Sequence, residues 1–260
     1  LGRDELSGYD VRVELVDRTS RLENELMTAQ DLVEELRGLG SASIKKVLMN
    51  HGAREPFFGV KVGDLKPIQK RIKMNYELSL DLYDTGISDA MYLAGLIADD
   101  AKMTKKDLNK WVKGAYWYMI SEYTVPWVAS GSKHGHEIAR EWIDQKAEST
   151  ASAGWCTWSS MLSVKPDAEF DEDEIKRLLK RVETTIHGEQ NRVRYSMNGF
   201  VIAVGTYFPA LKDQAVATAK KVGVVSVNLG DTACKVPDAI ESMEKVFARG
   251  PVKKKKTPKC

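Results

Sequence analysis

Asp171-Glu172-Asp173-Glu174-Ile175-Lys176-Arg177-Leu178-Leu179-Lys180-Arg181-Val182-Glu183-Thr184-Thr185-Ile186 is the stretch on which the fold turns. Its apolar side chains, Ile175, Leu178, Leu179, Val182 and Ile186, recur every three or four residues. That spacing lines one face of an α-helix and no face of a strand. The four acidic residues ahead of the stripe sit where the positive end of a helix favours them. The same period continues in both directions. Upstream, Leu32, Val33, Leu36 and Leu39 mark a helix that Thr28 caps, with Asp31 at the capping-box position, and that stops at Gly38–Gly40. Ser41 opens a second helix with Ile44, Val47 and Leu48 directed inward. Leu65, Ile68 and Ile72 give a third stripe, and a short helix follows from Tyr76 to Asp84. Downstream, Val201, Val204 and Phe208 form another. The last helix is expected to start with Pro237 at N1 and to end at Gly250-Pro251. Strand-like alternation is confined to Val222–Val227.

About a dozen helices of roughly 8–17 residues with short connectors predict an all-α chain. So many helices seldom share one central core. Stacked pairs bury their apolar faces against neighbouring pairs, so the expected architecture is one curved α-solenoid. No strict repeat period is visible, and any repeats are degenerate. Three segments are expected: a leader at 1–26 that is disordered or foreign to the fold, a helical domain at 27–250, and a basic disordered tail at 251–260.

Of the 260 residues, 43% are hydrophobic and 29% charged, which excludes collagen-like, mucin-like and mostly disordered classes. No apolar run nears the roughly 18 residues of a membrane span, and no secretory signal pattern opens the chain. Cys156, Cys234 and Cys260 are too few and too scattered for a disulfide framework or a CxxC zinc site, which points to a reducing, cytoplasmic setting. His134 and His136 lie on different sides of a helix and lack a third ligand, so no metal and no cofactor is expected. The net charge of +2 is unevenly spread. Residues 1–26 carry 4 basic and 7 acidic side chains, 27–248 carry 29 and 30, and 249–260 carry 6 and none. The tail with Lys253, Lys254, Lys255 and Lys256 suits a polyanion, nucleic acid above all, or else serves as a solvated end.

Phe57-Phe58-Gly59-Val60-Lys61-Val62-Gly63-Asp64-Leu65 resembles the F-x-G-V-[KR]-x-x-x-L segment of the HEAT-like-repeat DNA alkylation repair proteins, the AlkD-like alkylpurine DNA glycosylases. Trp155-Cys156-Thr157-Trp158-Ser159-Ser160-Met161-Leu162 is similar to the family's W-x-x-R-x-x-x-L helix. Arg194 to Phe200 is similar to its helix ending in Gly-Trp, and the residues before Ala129 to its catalytic segment. The likeness runs from about Thr28 to about Val225. It implies stacked HEAT-like helix pairs, duplex DNA, alkylated or not, on a concave basic face, and removal of N-alkylated purines. It also implies a carboxylate that stabilises an oxocarbenium ion, helped by aromatic faces and a backbone-gripping arginine. Aligned position by position, Pro126 stands at the carboxylate, Glu122 at the first tryptophan, Trp158 at the arginine and Phe200 at the second tryptophan. Only the last exchange keeps the physical property.

Glu122, one turn before Pro126, is therefore the one local carboxylate for a catalytic role; its alternative is a surface Glu on a helix. Six tryptophans fall between Trp111 and Trp158. About two-thirds are expected in the core, with Trp127 and Trp158 exposed as aromatic contacts to DNA. Arg192, Arg194 and Asn198, at the start of a helix, suit phosphate, or are solvated charges pairing with the acidic start at Asp171–Glu174. The Lys102–Lys113 stretch reads as a solvated face, and the Asp231–Asp238 turn as a cap to the last helix. Three functions fit: a DNA-lesion binder with or without base excision, a tail-driven nucleic-acid binder, and a non-catalytic scaffold for protein partners.

Overall fold

The computed structural model describes residues 27–259; the expected leader, 1–26, lies outside the described residues. Thirteen α-helices account for almost all regular structure there: α1 Ala29–Leu39, α2 Ala42–Asn50, α3 Val62–Ile72, α4 Tyr76–Asp84, α5 Ser88–Ile97, α6 Lys105–Gly114, α7 Val125–Gly131, α8 Gly135–Trp142, α9 Glu148–Val164, α10 Glu172–Thr185, α11 Asn191–Tyr207, α12 Lys212–Val222 and α13 Ala239–Phe247. A π-helical turn, Met119–Thr124, leads straight into α7. Pro126 explains the junction, because it has no N–H to return to the Glu122 carbonyl four residues back.

The stripe that opened the sequence reading is buried as expected: Ile175, Leu178, Leu179 and Val182 on α10, with Ile186 just beyond it. Thr28 caps α1 in a reciprocal box with Asp31. Asp171 caps α10 through the amide of Asp173. Helices stack on their chain neighbours and form two apolar cores. One runs from Leu32 to Ala153 and has α5 at its centre, buried along its whole length. The other gathers Trp155, Trp158, Phe200 and the α10 stripe. Helix α9 belongs to both and packs along α11, so it is the spine of the stack.

The Phe57–Leu65 segment has a structural reason for its sequence. Phe57 and Val60 are buried, and the Asp89 carboxylate accepts the amides of Phe58 at 2.6 Å and Val60 at 2.8 Å. Gly59 lies at φ 82°, and a Cβ there would come within 2.7 Å of the Lys45 amide nitrogen. The strand of backbone is thus tied to α5 by a buried carboxylate and pressed onto α2.

Several local expectations are corrected. Residues 223–238 contain no strand; they are an extended connector. Helix α13 starts at Ala239 and not with Pro237 at N1, because the Asp238 carboxylate accepts the Glu241 amide and makes Asp238 the cap. Ser41 precedes α2 without a side-chain cap, and Val47 is half exposed rather than inward.

The basic tail is docked along the body, where a free tail was expected. Lys254 Nζ donates to the carbonyls of Leu162 and Tyr207, both at 2.8 Å, and pairs with Asp167. Lys259 Nζ donates to Ala98 O at 3.0 Å and to Asp100 at 2.7 Å. These carbonyls lie at the C-terminal ends of α9, α11 and α5, where unsatisfied oxygens and the helix dipole attract cations.

Two glycines should respond to alanine with opposite signs. At Gly154 a Cβ would sit 2.7 Å from the Ile143 amide nitrogen, so Gly154→Ala should cost about 1–3 kcal/mol. At Gly199, also within a helix, nothing lies within 4 Å, so Gly199→Ala should add about 0.5–1 kcal/mol. Urea unfolding of both variants checks the pair. A second expectation concerns pH. Burial pushes the Asp100 carboxyl up to about 6, against the pull of Lys259. Between about pH 4 and about pH 6 the folded state holds a proton that the unfolded chain has released, so stability falls as pH rises through that window, by at most about 3 kcal/mol. Asp100→Asn should flatten that slope in urea midpoints measured across the window.

Candidate nucleic-acid interface

The N-terminal ends of α9 and α11, the segment before and within the π-helical turn, and the extended connector enclose a cleft of about 920 Å³. Beneath it lies the most buried ion pair among the described residues. Arg192, in the first turn of α11, reaches the Glu122 carboxylate of the π-helical turn with two nitrogens, Nε at 2.7 Å and Nη2 at closer range. The guanidinium lies between two rings, Tyr118 at 4.5 Å and Tyr195 at 4.4 Å. Glu148, at the start of α9, accepts the Arg192 amide at 2.8 Å. Two helix starts and the π-helical turn are therefore locked to one side chain. Burial raises the pKa of the Glu122 carboxyl, and Arg192 pulls against that rise. Arg192 stays cationic because its bonds to Glu122 outweigh its own burial.

The cleft wall is cationic and aromatic. Arg54, Lys113, Arg192 and Lys235 line it against a single carboxylate, Glu148. Tyr116, Tyr118, Tyr123 and Tyr195 provide rings. Burial raises the pKa of all four hydroxyls, that of Tyr116 to about 12, so each ring is neutral near pH 7. The connector is riveted in place: Asn191 Nδ2 donates to Asn228 O at 2.8 Å, and Asn228 N returns a bond to Asn191 Oδ1 at 2.7 Å. Gly230 presses on the Asn50 carbonyl so closely that a Cβ would overlap it. The C-terminal connector thus meets the C-terminal end of α2 beside the cleft.

The residues singled out from sequence divide accordingly. Arg192 lines the cleft, and Glu122 lies beneath it, fully engaged; it is neither a surface Glu nor a free carboxylate. Trp127 and Trp158, expected at the surface, are buried, as are the other four tryptophans. An indole wedged between stacked helices removes more apolar surface from water than any other side chain, which is why none is left outside. Phe200 is also core, 5.2 Å from the Trp155 ring centroid. Asn198 is buried and donates to Pro237 O at 2.8 Å, so it secures the start of α13. Arg194 is half-buried beside Asn191 and does not line the cleft. Neither Arg192 nor Arg194 pairs with the acidic start of α10; Glu174 there binds Arg140. In the tail, Lys254 is engaged as described, whereas Lys253, Lys255 and Lys256 expose their side chains. The sequence reading missed the four tyrosines, Arg54 and Lys235, and took Lys113 for a solvated face. The one signal for them was tyrosine interleaved with basic residues, spread over segments that only the fold brings together.

Removing Arg192 leaves Glu122 buried without its partner. Arg192→Ala is expected to lower stability by about 3–5 kcal/mol, and the double replacement Glu122→Leu with Arg192→Met to recover most of that loss. Urea titrations of the single and double variants check both values.

Comparison with known proteins agrees with this architecture. The family model described as DNA alkylation repair enzyme matches residues 32–243. Two Listeria proteins, the uncharacterized protein Lin0241 of Listeria innocua and Lmo0209 of Listeria monocytogenes, are each 38% identical over 230 residues, covering 86% of this chain and 99% of theirs. A solved structure with a TM-score of 0.83 and 39% identity covers 90% of this chain and 100% of its own; it is described as a new family of proteins related to the HEAT-like repeat DNA glycosylases with affinity for branched DNA structures. With a family match spanning most of its length and the same stacked-helix fold, the chain belongs to the DNA alkylation repair enzyme family.

Proposed function

We propose that this chain binds DNA in its tyrosine-lined cleft, favours branched DNA over linear duplex, and does not excise bases. The observation that carries the reading is the state of Glu122. An excising member of the family needs a carboxylate free to meet a developing positive charge. Here Glu122 already faces a permanent cation at hydrogen-bond distance, and Pro126 has no charge to offer. What remains suits binding: four Lys/Arg side chains and four tyrosine rings around one carboxylate. The preference for branched DNA follows the affinity described for the structural relative. Duplex arms then lie across the concave side of the stack, with the cleft beneath the branch. A tail-driven mode fits less well, because Lys254 and Lys259 already hold helix carbonyls.

Fluorescence anisotropy with a four-way junction, a linear duplex and an N7-methylguanine duplex tests the reading. The junction should bind at least about tenfold more tightly than either duplex. No free base should be released from the methylated duplex. Lys113→Glu with Lys235→Glu, both at exposed positions on the lining, should abolish binding and leave the fold intact, and removal of residues 252–260 should weaken binding only mildly. Equal affinity for all three DNAs, or release of N7-methylguanine, would overturn it.

A further inference from the structure

The size of the cleft restricts what can enter. A volume of about 920 Å³ is that of a large small-molecule pocket. It has room for a few nucleotides and none for a double helix, whose major groove alone is ~12 Å wide. On its lining, Gly230 packs on the Asn50 carbonyl, and the Asn191–Asn228 pair holds the connector in place. Paired bases also keep their faces hidden in the stack, whereas unpaired bases expose them.

We propose that the cleft takes a short run of unpaired nucleotides at the branch point of a DNA, stacking their bases on its tyrosines. This rests on the DNA-binding reading above and names the part of the DNA that enters. Tyr116, Tyr118, Tyr123 and Tyr195 are neutral rings on the cleft lining, Tyr118 and Tyr195 with one side already against Arg192, and base–aromatic stacking needs no particular base. Lys113 and Lys235 have exposed side chains on the cleft wall, where phosphates of the same run would pass. The Glu148 carboxylate, the one acidic group on the lining, accepts the Arg192 amide through one oxygen and is outnumbered by the four lining cations.

Two junctions of identical arms decide the matter, one fully paired and one with about three unpaired thymines at the branch. The unpaired form should bind about tenfold more tightly, the effect of stacking one base or slightly more. A 2-aminopurine placed in the unpaired run should lose fluorescence on binding, and one placed in an arm should not. Tyr118→Phe should keep the preference and Tyr118→Ala should lose it. If Tyr118→Ala fails to fold, Lys113→Glu with Lys235→Glu, both at exposed positions, should abolish the direct binding of a labelled short oligothymidylate that the unchanged protein shows. Equal affinity for the two junctions, or an unchanged 2-aminopurine signal, would overturn the inference and leave binding by the cleft standing. No affinity for either junction would overturn both.

Discussion

One guanidinium joins the middle of this chain to its C-terminal third. Arg192 is held by the Glu122 carboxylate and clasped between Tyr118 and Tyr195, seventy positions of sequence being bridged in the process. A buried ion pair of this kind adds little to stability over a well-packed apolar pair, but its geometry is exacting. Two nitrogens must meet two oxygens while both flat faces meet rings. The pair therefore fixes the register between the π-helical turn and α11, and with it the width of the cleft above. The position of Pro126 belongs to the same arrangement, because the π-helical turn it permits carries Glu122 inward.

The cleft shows how a nearly neutral body presents a basic surface. The cations there are not drawn from a surplus; they are segregated, while their counterparts are used in pairs elsewhere, as between Arg140 and Glu174 or Lys105 and Glu137. The tail extends the same logic to the far side of the stack. Its lysines meet the carbonyl ends of helices whose amide ends, in α9 and α11, open onto the cleft. The helix dipoles of the stack thus point their positive ends at the candidate DNA site and their negative ends at the tail.

How much of this could be read from the sequence depends on the distance over which each feature is decided. The helices were legible, since the 3.6-residue period of Ile175–Ile186 and the Thr28–Asp31 box are local signals. Helix ends were less so: Pro237 and Asp238 both suit a helix start, and only the bond to the Glu241 amide separates them. The tryptophans at 127 and 158 carry the same spacing whether they face DNA or a neighbouring helix, so their burial had no signature in sequence. Glu122 was visible as a carboxylate, but its partner lies far along the chain. The cleft was invisible, because its wall is assembled from segments around residues 54, 116, 192 and 230 that only the stacking of helices brings together.

The complete burial of the six tryptophans has an optical consequence. All six are shielded from bulk water, so the native emission lies to the blue of the unfolded chain's. Its red shift on denaturation reports the loss of both cores together, since Trp111 belongs to one and Trp158 to the other. The aromatic residues that face the cleft are four tyrosines, whose emission is separate, and Trp117. The protein thus carries two intrinsic chromophore sets, indoles that chiefly register the integrity of the fold and tyrosines that, with Trp117, register what occupies the cleft.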